Sequence, residues 1–126
     1  MYDSADGTLG KNQLKWLQNT LEWASQQNFR HIVAGSHTHF FMRDNSQGIA
    51  TNYSIEETYT LLRLFQSYGV DILFTGHSHS REVTLFDELT CIIVDSMTDK
   101  DKKPAYLIAT MGETIDYEFV NLHTKK

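Results

Sequence analysis

Apolar residues recur at spacings of three and four in two segments of the chain, which is the pattern of a helix with one face on a core. The first segment is Gln13–Gln26, and its apolar stripe consists of Leu14, Leu17, Leu21 and Ala24. The second helix is predicted to begin at Ser54 as N-cap, with Glu57 completing a capping box. It is predicted to end at Gly69, because glycine readily takes the left-handed conformation that stops a helix.

Short runs of apolar and β-branched residues lie between and after these helices, and such runs predict strands. They are Arg30–Gly35, Val70–Phe74, Glu82–Phe86, Leu89–Asp95, Ala105–Met111 and Thr114–Leu122. Tight turns at Asp87-Glu88 and Gly112-Glu113 are predicted to join the later strands as hairpins. Helices that alternate with strands, followed by a strand-rich end, predict an α/β fold with a mixed sheet and two helices.

Length and charge limit the classes of protein that this chain can belong to. Its 126 residues suffice for one modest domain, so residues 1–126 are interpreted as a single domain. A net charge of -5 without a basic run argues against a nucleic-acid-binding surface. No segment is apolar enough over a sufficient length to span a membrane, and localisation stays open because any export signal would lie upstream. Cys91, in an apolar run, is expected in the core.

Histidines carry the candidate chemistry, because four of the six stand at the ends of two predicted strands. His37 and His39 follow the first of these strands, and His77 and His79 follow the second. Neutral imidazole is a common ligand of zinc and related ions, and α/β sheets place ligand sites at the carboxyl ends of their strands. The pattern therefore indicates a metal site, with Gly76 expected to give the backbone its sharp turn. The remaining two, His31 and His123, are assigned structural roles.

Several motifs together resemble the calcineurin-like metallophosphoesterase family. Gly76-His77-Ser78-His79 is similar to the closing Gly-His-x-His motif of that family, and a buried strand beginning Gly-Val-Asp precedes it. Gln13-Leu14-Lys15-Trp16-Leu17 resembles a helix that follows an Asp-Ser turn, here Asp3-Ser4, in bacterial members. Ser36-His37 is similar to an isolated metal-binding histidine of the family. The resemblance extends over most of the chain and covers the C-terminal half of the family's α/β/β/α sandwich.

The resemblance implies a phosphoester hydrolase that uses two divalent ions, Mn, Fe or Zn, to activate hydroxide. It implies that His37 and His77 bind one ion and that His79 binds the other. The family's earlier motifs are absent: Asp-x-His, Gly-Asp with a later Asp, and Gly-Asn-His-Glu/Asp. Because histidines alone leave two ions under-coordinated, we expect a partial domain whose partner is a missing N-terminal half. The chain alone is expected to bind metal weakly and to hydrolyse little or no phosphoester.

Two further features leave their roles open at this stage. His39 stands where the family often has proline, and it could contact a substrate phosphate, add a metal ligand or hydrogen-bond within the loop. The polar segment Arg43–Tyr53 is predicted to be a long loop, either plain surface or a rim over the substrate. Arg43, Asn52 and Tyr53 are its candidate substrate-binding residues.

Two alternative interpretations assign other functions to the same residues. His37-Thr38-His39 could be the first His-x-His of an amidohydrolase, although such enzymes need a (β/α)₈ barrel of roughly 250 residues. A non-catalytic metal-binding or self-associating module is the second alternative. Trp16 and Trp23 lie well around the helix from its leucine stripe, which leaves extra apolar surface. We hypothesise that this surface packs on the absent half and that the isolated chain buries it in a homodimer interface.

Overall fold

The structure is a computed structural model, and it describes residues 8–44, 48–51, 53–78, 81–95 and 104–122. Within these residues there are two helices, α1 (Gly10–Ser25) and α2 (Ile55–Ser67), and eight strands. The strands are β1 (Val33–Gly35), β2 (Phe41–Asp44), β3 (Gly48–Thr51), β4 (Ile72–Thr75), β5 (Glu82–Phe86), β6 (Leu89–Ile93), β7 (Ala105–Met111) and β8 (Ile115–Asn121). The predicted α/β class is confirmed. The candidate residues His79 and Asn52, and also His123, lie outside the described residues.

A four-stranded mixed sheet in the order β1-β4-β6-β5 positions the candidate site. β1 and β6 both pair with β4 in parallel, and β5 pairs antiparallel with β6. The interior strand β4 is largely buried, as its apolar run predicts, with Leu73 fully inaccessible to solvent. Because β1 and β4 are parallel neighbours, their carboxyl ends meet at the same edge of the sheet.

Local sequence signals set both ends of α2. Ser54 Oγ accepts a hydrogen bond from the backbone N–H of Glu57 at 3.1 Å, which is the predicted N-cap. The reciprocal half of the capping box is wrong, because the Glu57 carboxylate accepts instead from the backbone N–H of Leu9 at 2.8 Å. At the other end Gly69 has φ +68, and Val70 N–H donates to the Phe65 carbonyl oxygen, as in a Schellman motif. Glu57 therefore ties the start of α1 to α2.

The core contains an aromatic cluster directly behind the candidate site. Phe40 and Phe65 are fully buried, and their ring centroids are 6.3 Å apart. Tyr53 is 2% exposed, with its ring centroid 6.0 Å from that of Phe40. The prediction of an irregular loop from Arg43 to Tyr53 is wrong, because β2 and β3 pair antiparallel as a hairpin over this segment. Its alternating small, polar and apolar residues gave no clear period from which a hairpin could be predicted.

Helix α1 presents a buried stripe and an exposed aromatic side. Leu17 and Leu21 are buried in the core, whereas Trp16 is 48% exposed and Trp23 is 56% exposed. The Trp23 ring makes an edge contact with Phe29, which is itself 54% exposed. The predicted separation of the tryptophans from the leucine stripe is therefore confirmed, and Trp16, Trp23 and Phe29 are together called the exposed aromatic patch.

One arginine fixes the β7–β8 hairpin to the four-stranded sheet. Arg81 Nε donates to the Asp95 carboxylate at 2.7 Å, and a terminal guanidinium nitrogen donates to Asn121 Oδ1 at 2.8 Å. The guanidinium also lies 4.3 Å from the centroid of the Phe119 ring, within cation–π distance. Because Arg81 comes soon after the second histidine motif, these contacts also anchor the chain beside the candidate site.

Candidate functional site

The site lies where β1 and β4 end side by side. Beyond β1, the Ser36 N–H donates to the Phe74 carbonyl oxygen at 2.9 Å. Beyond β4, the Gly76 N–H donates to the His37 carbonyl oxygen at 3.0 Å. The ladder between the two strands thus continues into the two histidine loops. This backbone pairing brings His37 and His77 together, although they are 40 residues apart in sequence.

The rings of His37 and His77 are in direct contact. His37 Nε2 is 3.1 Å from His77 Nδ1, and the ring centroids are 5.1 Å apart with planes at 75°. Both side chains are exposed to solvent. The lone pair of one ring nitrogen can accept the proton of the other, so the two imidazoles can hydrogen-bond to each other without an ion. Because both rings are exposed, an ion can also reach them.

The separation of these two nitrogens fits one shared metal ion. Two nitrogens bound tetrahedrally at about 2.0–2.1 Å are about 3.3 Å apart, and the observed distance of 3.1 Å is close to that value. Among the residues that the structure describes, no group of three or more His, Cys, Asp and Glu could hold an ion. The donor set present here is therefore two imidazoles, and a closed site needs further ligands.

The residue with left-handed backbone in the second histidine loop is His77 and not Gly76. The expectation that Gly76 makes the sharp turn is therefore corrected. His77 has φ +69, in the left-handed region that non-glycine residues seldom adopt. A Cβ on Gly76 would lie 3.7 Å from the His37 carbonyl oxygen, which is an ordinary van der Waals contact. Backbone strain of this kind costs of order 1–3 kcal/mol and is concentrated at functional sites.

His39 lies beneath the pair, with only 2% of its surface exposed. Its Nδ1 is 3.2 Å from the hydroxyl oxygen of Thr75, itself 4% exposed, on the neighbouring strand. Burial lowers the pKa of His39 from its ordinary value, and the negative charge of Glu82 partly opposes that effect. Of the three roles left open for His39, hydrogen bonding within the fold is the one that this burial favours.

The remaining candidates are the proposed substrate-binding residues of the segment Arg43–Tyr53. Arg43 lies on β2, and Asn52 is outside the described residues. Tyr53 is buried against Phe40, so its ring belongs to the core and not to an open rim, contrary to its expected place. Sequence reasoning missed Thr75, although a hydroxyl residue at the end of the apolar run Ile72-Leu73-Phe74 was a visible signal.

Comparisons with known proteins show a similarity of fold to solved structures and do not show a family. No family model matches the chain, and no curated protein matches it. A solved structure of GAP50, the anchor in the inner membrane complex of Plasmodium, matches with a TM-score of 0.54 and 22% identity. The match covers 68% of this chain but only 25% of GAP50. At this identity the likeness describes the fold alone.

Two structures of Vps29 from Entamoeba histolytica also match. The wild type complexed with Zn²⁺ has a TM-score of 0.37 and 15% identity, covering 68% of this chain and 61% of Vps29. A single mutant has a TM-score of 0.35 and 11% identity, covering 84% and 89%. At these scores the two matches carry no weight. In the part of the chain that the structure describes, neither helix has the length and apolar character needed to cross a membrane.

Proposed function

We propose that this chain is the C-terminal part of a metallophosphoesterase domain of the calcineurin-like type, which hydrolyses a phosphoester with two divalent ions. The observation that carries the proposal is the 3.1 Å separation of His37 Nε2 and His77 Nδ1 at the ends of adjacent parallel strands. The exposure of both rings and the left-handed backbone of His77 support it.

The residue roles that we propose are those that the family resemblance implies. His37 and His77 would hold one ion, and His79 would hold the second. A bound dication supplies positive charge that stabilises developing negative charge on phosphoryl oxygens and acidifies water. The protein residues present contribute neutral nitrogen donors at a solvent-accessible sheet edge, where an anionic substrate can approach. Arg43 and Asn52 are proposed to contact that substrate.

The alternatives have less support from the geometry. An amidohydrolase barrel requires parallel strands that close on themselves, whereas the four-stranded sheet described here ends in the antiparallel strand β5. A non-catalytic metal-binding module would use the same two imidazoles, and it differs from the proposed enzyme in leaving no open position on the metal for a substrate. Hydrolysis therefore discriminates between these classes better than metal binding does.

The direct test is hydrolysis of bis(p-nitrophenyl) phosphate with added Mn²⁺. The chain alone is expected to show no rate above that of His77→Ala, because two described imidazoles leave most of a two-metal coordination sphere open. The same assay is then repeated with an upstream segment of the parent protein that carries the missing aspartate motifs. If that longer protein binds metal through His77 yet hydrolyses no phosphoester, the enzyme proposal is wrong and the binding module is favoured.

We also propose that the exposed aromatic patch of Trp16, Trp23 and Phe29 packs on the upstream half in the whole domain and mediates homodimerisation of the isolated chain. Sedimentation velocity over a wide concentration range measures this. A Trp16→Glu/Trp23→Glu variant is expected to weaken dimerisation at least about tenfold, which is about 1.4 kcal/mol. Ile55→Glu is the control, since Ile55 is 77% exposed on the other helix. A wild-type chain that stays monomeric throughout contradicts the proposal.

A further inference from the structure

A buried polar pair lies between the two histidine loops and has no role in the proposed chemistry. His39 is two residues after His37, and Thr75 is two residues before His77. Their side chains are 2% and 4% exposed, and His39 Nδ1 lies 3.2 Å from Thr75 Oγ1. This hydrogen bond joins the two loops in the interior of the protein, whereas the rings of His37 and His77 are in contact at the surface.

The Thr75 hydroxyl has a second partner in the interior of the protein. Thr75 Oγ1 lies 3.3 Å from the backbone carbonyl oxygen of Ile92, on the adjacent strand β6, and can donate its proton to it. In that arrangement the hydroxyl oxygen accepts from His39 Nδ1–H, whereas in the other tautomer of His39 the hydroxyl donates to Nδ1. In both arrangements the side chains of His39 and Thr75 are hydrogen-bonded across β1 and β4.

The loop that carries His37 is held on both sides of that residue. Ser36 N–H donates to the Phe74 carbonyl oxygen, and Ser36 Oγ donates to the Thr38 carbonyl oxygen at 3.2 Å within the loop. On the far side, the His39 ring is attached to Thr75. Between these attachments, the backbone at His37 has little freedom to move, and the direction of its Cα–Cβ bond is therefore restricted.

We propose that His39 and Thr75 are positioning residues whose buried hydrogen bond sets the spacing of the His37 and His77 rings. Backbone pairing brings the two loops together, but exposed imidazoles can rotate about their side-chain torsions and do not fix their own separation. The interior of this site could be filled equally well by apolar residues, so a hydrogen-bonded histidine at a fully buried position is better explained by orientation than by packing.

The test uses isosteric variants of the full chain without metal. Thr75→Val keeps the volume of Thr75 and removes the hydroxyl, whereas Thr75→Ser keeps the hydroxyl. His39→Leu removes the ring nitrogens, and His39→Asn retains a polar amide group near the position of Nδ1. Ring ¹⁵N chemical shifts and ring-to-ring nuclear Overhauser effects report the contact between His37 and His77, while amide spectra report whether each variant is folded.

We expect the contact between His37 and His77 to be present in the wild type and in Thr75→Ser, lost in Thr75→Val and His39→Leu, and restored in His39→Asn. Retention of the contact in folded Thr75→Val or His39→Leu overturns the proposal, and so does its absence from the wild type. If Thr75 only filled space, Thr75→Val, which keeps its volume, would retain the contact better than the smaller Thr75→Ser, so the opposite pattern separates orientation from packing.

A second measurement is Zn²⁺ affinity by competition with a chromophoric chelator, and only this arm rests on the proposed function. Thr75→Val is expected to weaken binding by up to about 10-fold, the lower end of the loss seen when a group hydrogen-bonded directly to a metal ligand is removed, because Thr75 acts through His39. If no form binds Zn²⁺ but the contact follows the expected pattern, the metal site is wrong and the positioning role stands. If binding needs His37 and His77 but is equal in Thr75→Val, the positioning role is wrong.

Discussion

Replacement of His77 by asparagine is expected to reduce the Zn²⁺ affinity of this chain by at least about 100-fold, because loss of a ligand exceeds the loss of a supporting contact. Asparagine tolerates the left-handed backbone that His77 adopts, so the substitution removes the imidazole with little added strain. His37→Ala is expected to have the same effect, since both rings contribute to one nitrogen pair. Chelator competition and isothermal titration measure the change.

The matched control is His31→Gln. His31 precedes β1 and lies at the opposite end of the strand from His37, and its Nε2 contacts the Gly112 carbonyl oxygen at 2.7 Å. Glutamine retains a polar N–H for that contact, so Zn²⁺ affinity should be unchanged. Equal losses in His31→Gln and His77→Asn would mean that the ion binds histidines at random on the surface. A wild-type affinity no stronger than that of His77→Asn would contradict the assigned site.

The largest effect on stability is expected from Phe40→Ala, which should lower the free energy of unfolding by about 3–5 kcal/mol. Phe40 is fully buried, and its ring packs against both Phe65 and Tyr53. Truncation removes the transfer free energy of the ring and leaves a cavity that the neighbouring side chains cannot fully close. For a domain of ordinary stability, this loss is a large fraction of the total. Urea denaturation followed by far-UV circular dichroism measures it.

Two controls separate cavity formation from loss of an aromatic group in general. Phe40→Leu retains most of the volume and should cost less than about 1.5 kcal/mol. Phe29→Ala removes an aromatic ring that is 54% exposed, and it should cost less than about 1 kcal/mol. A Phe40→Ala variant no less stable than Phe29→Ala would show that Phe40 does not anchor the core. Because Phe40 follows His39, its variants also test whether core packing supports the candidate site.

Signals that act over a few residues were readable from the sequence. The bounds of β5 and β7 agree with those predicted, and Ser54 and Gly69 mark the ends of α2 as expected. The tryptophans of α1 are exposed because their angular position on a helix follows from spacing alone. Burial of Cys91, whose apolar surroundings raise the pKa of its thiol to about 12, likewise follows from its apolar neighbours in sequence.

What the sequence left undetermined depends on partners distant along the chain. Leu9 takes the Glu57 carboxylate that a local capping box would have used, and the hairpin β2–β3 is defined by cross-strand pairing without a clear hydrophobic period. Strand pairing of β1 with β4 decides that His37 meets His77.

The sequence by itself determined the α/β class and the position of His37 and His77 just beyond two strand ends. Periodicity, caps and residue chemistry are local properties, and they can be read without knowing which elements become neighbours. Tertiary structure alone decided that His39 turns inward to Thr75 and that His77 takes the left-handed backbone conformation in place of Gly76. Both outcomes depend on the parallel register of two strands separated in sequence by a hairpin and a helix, and no local pattern encodes that register.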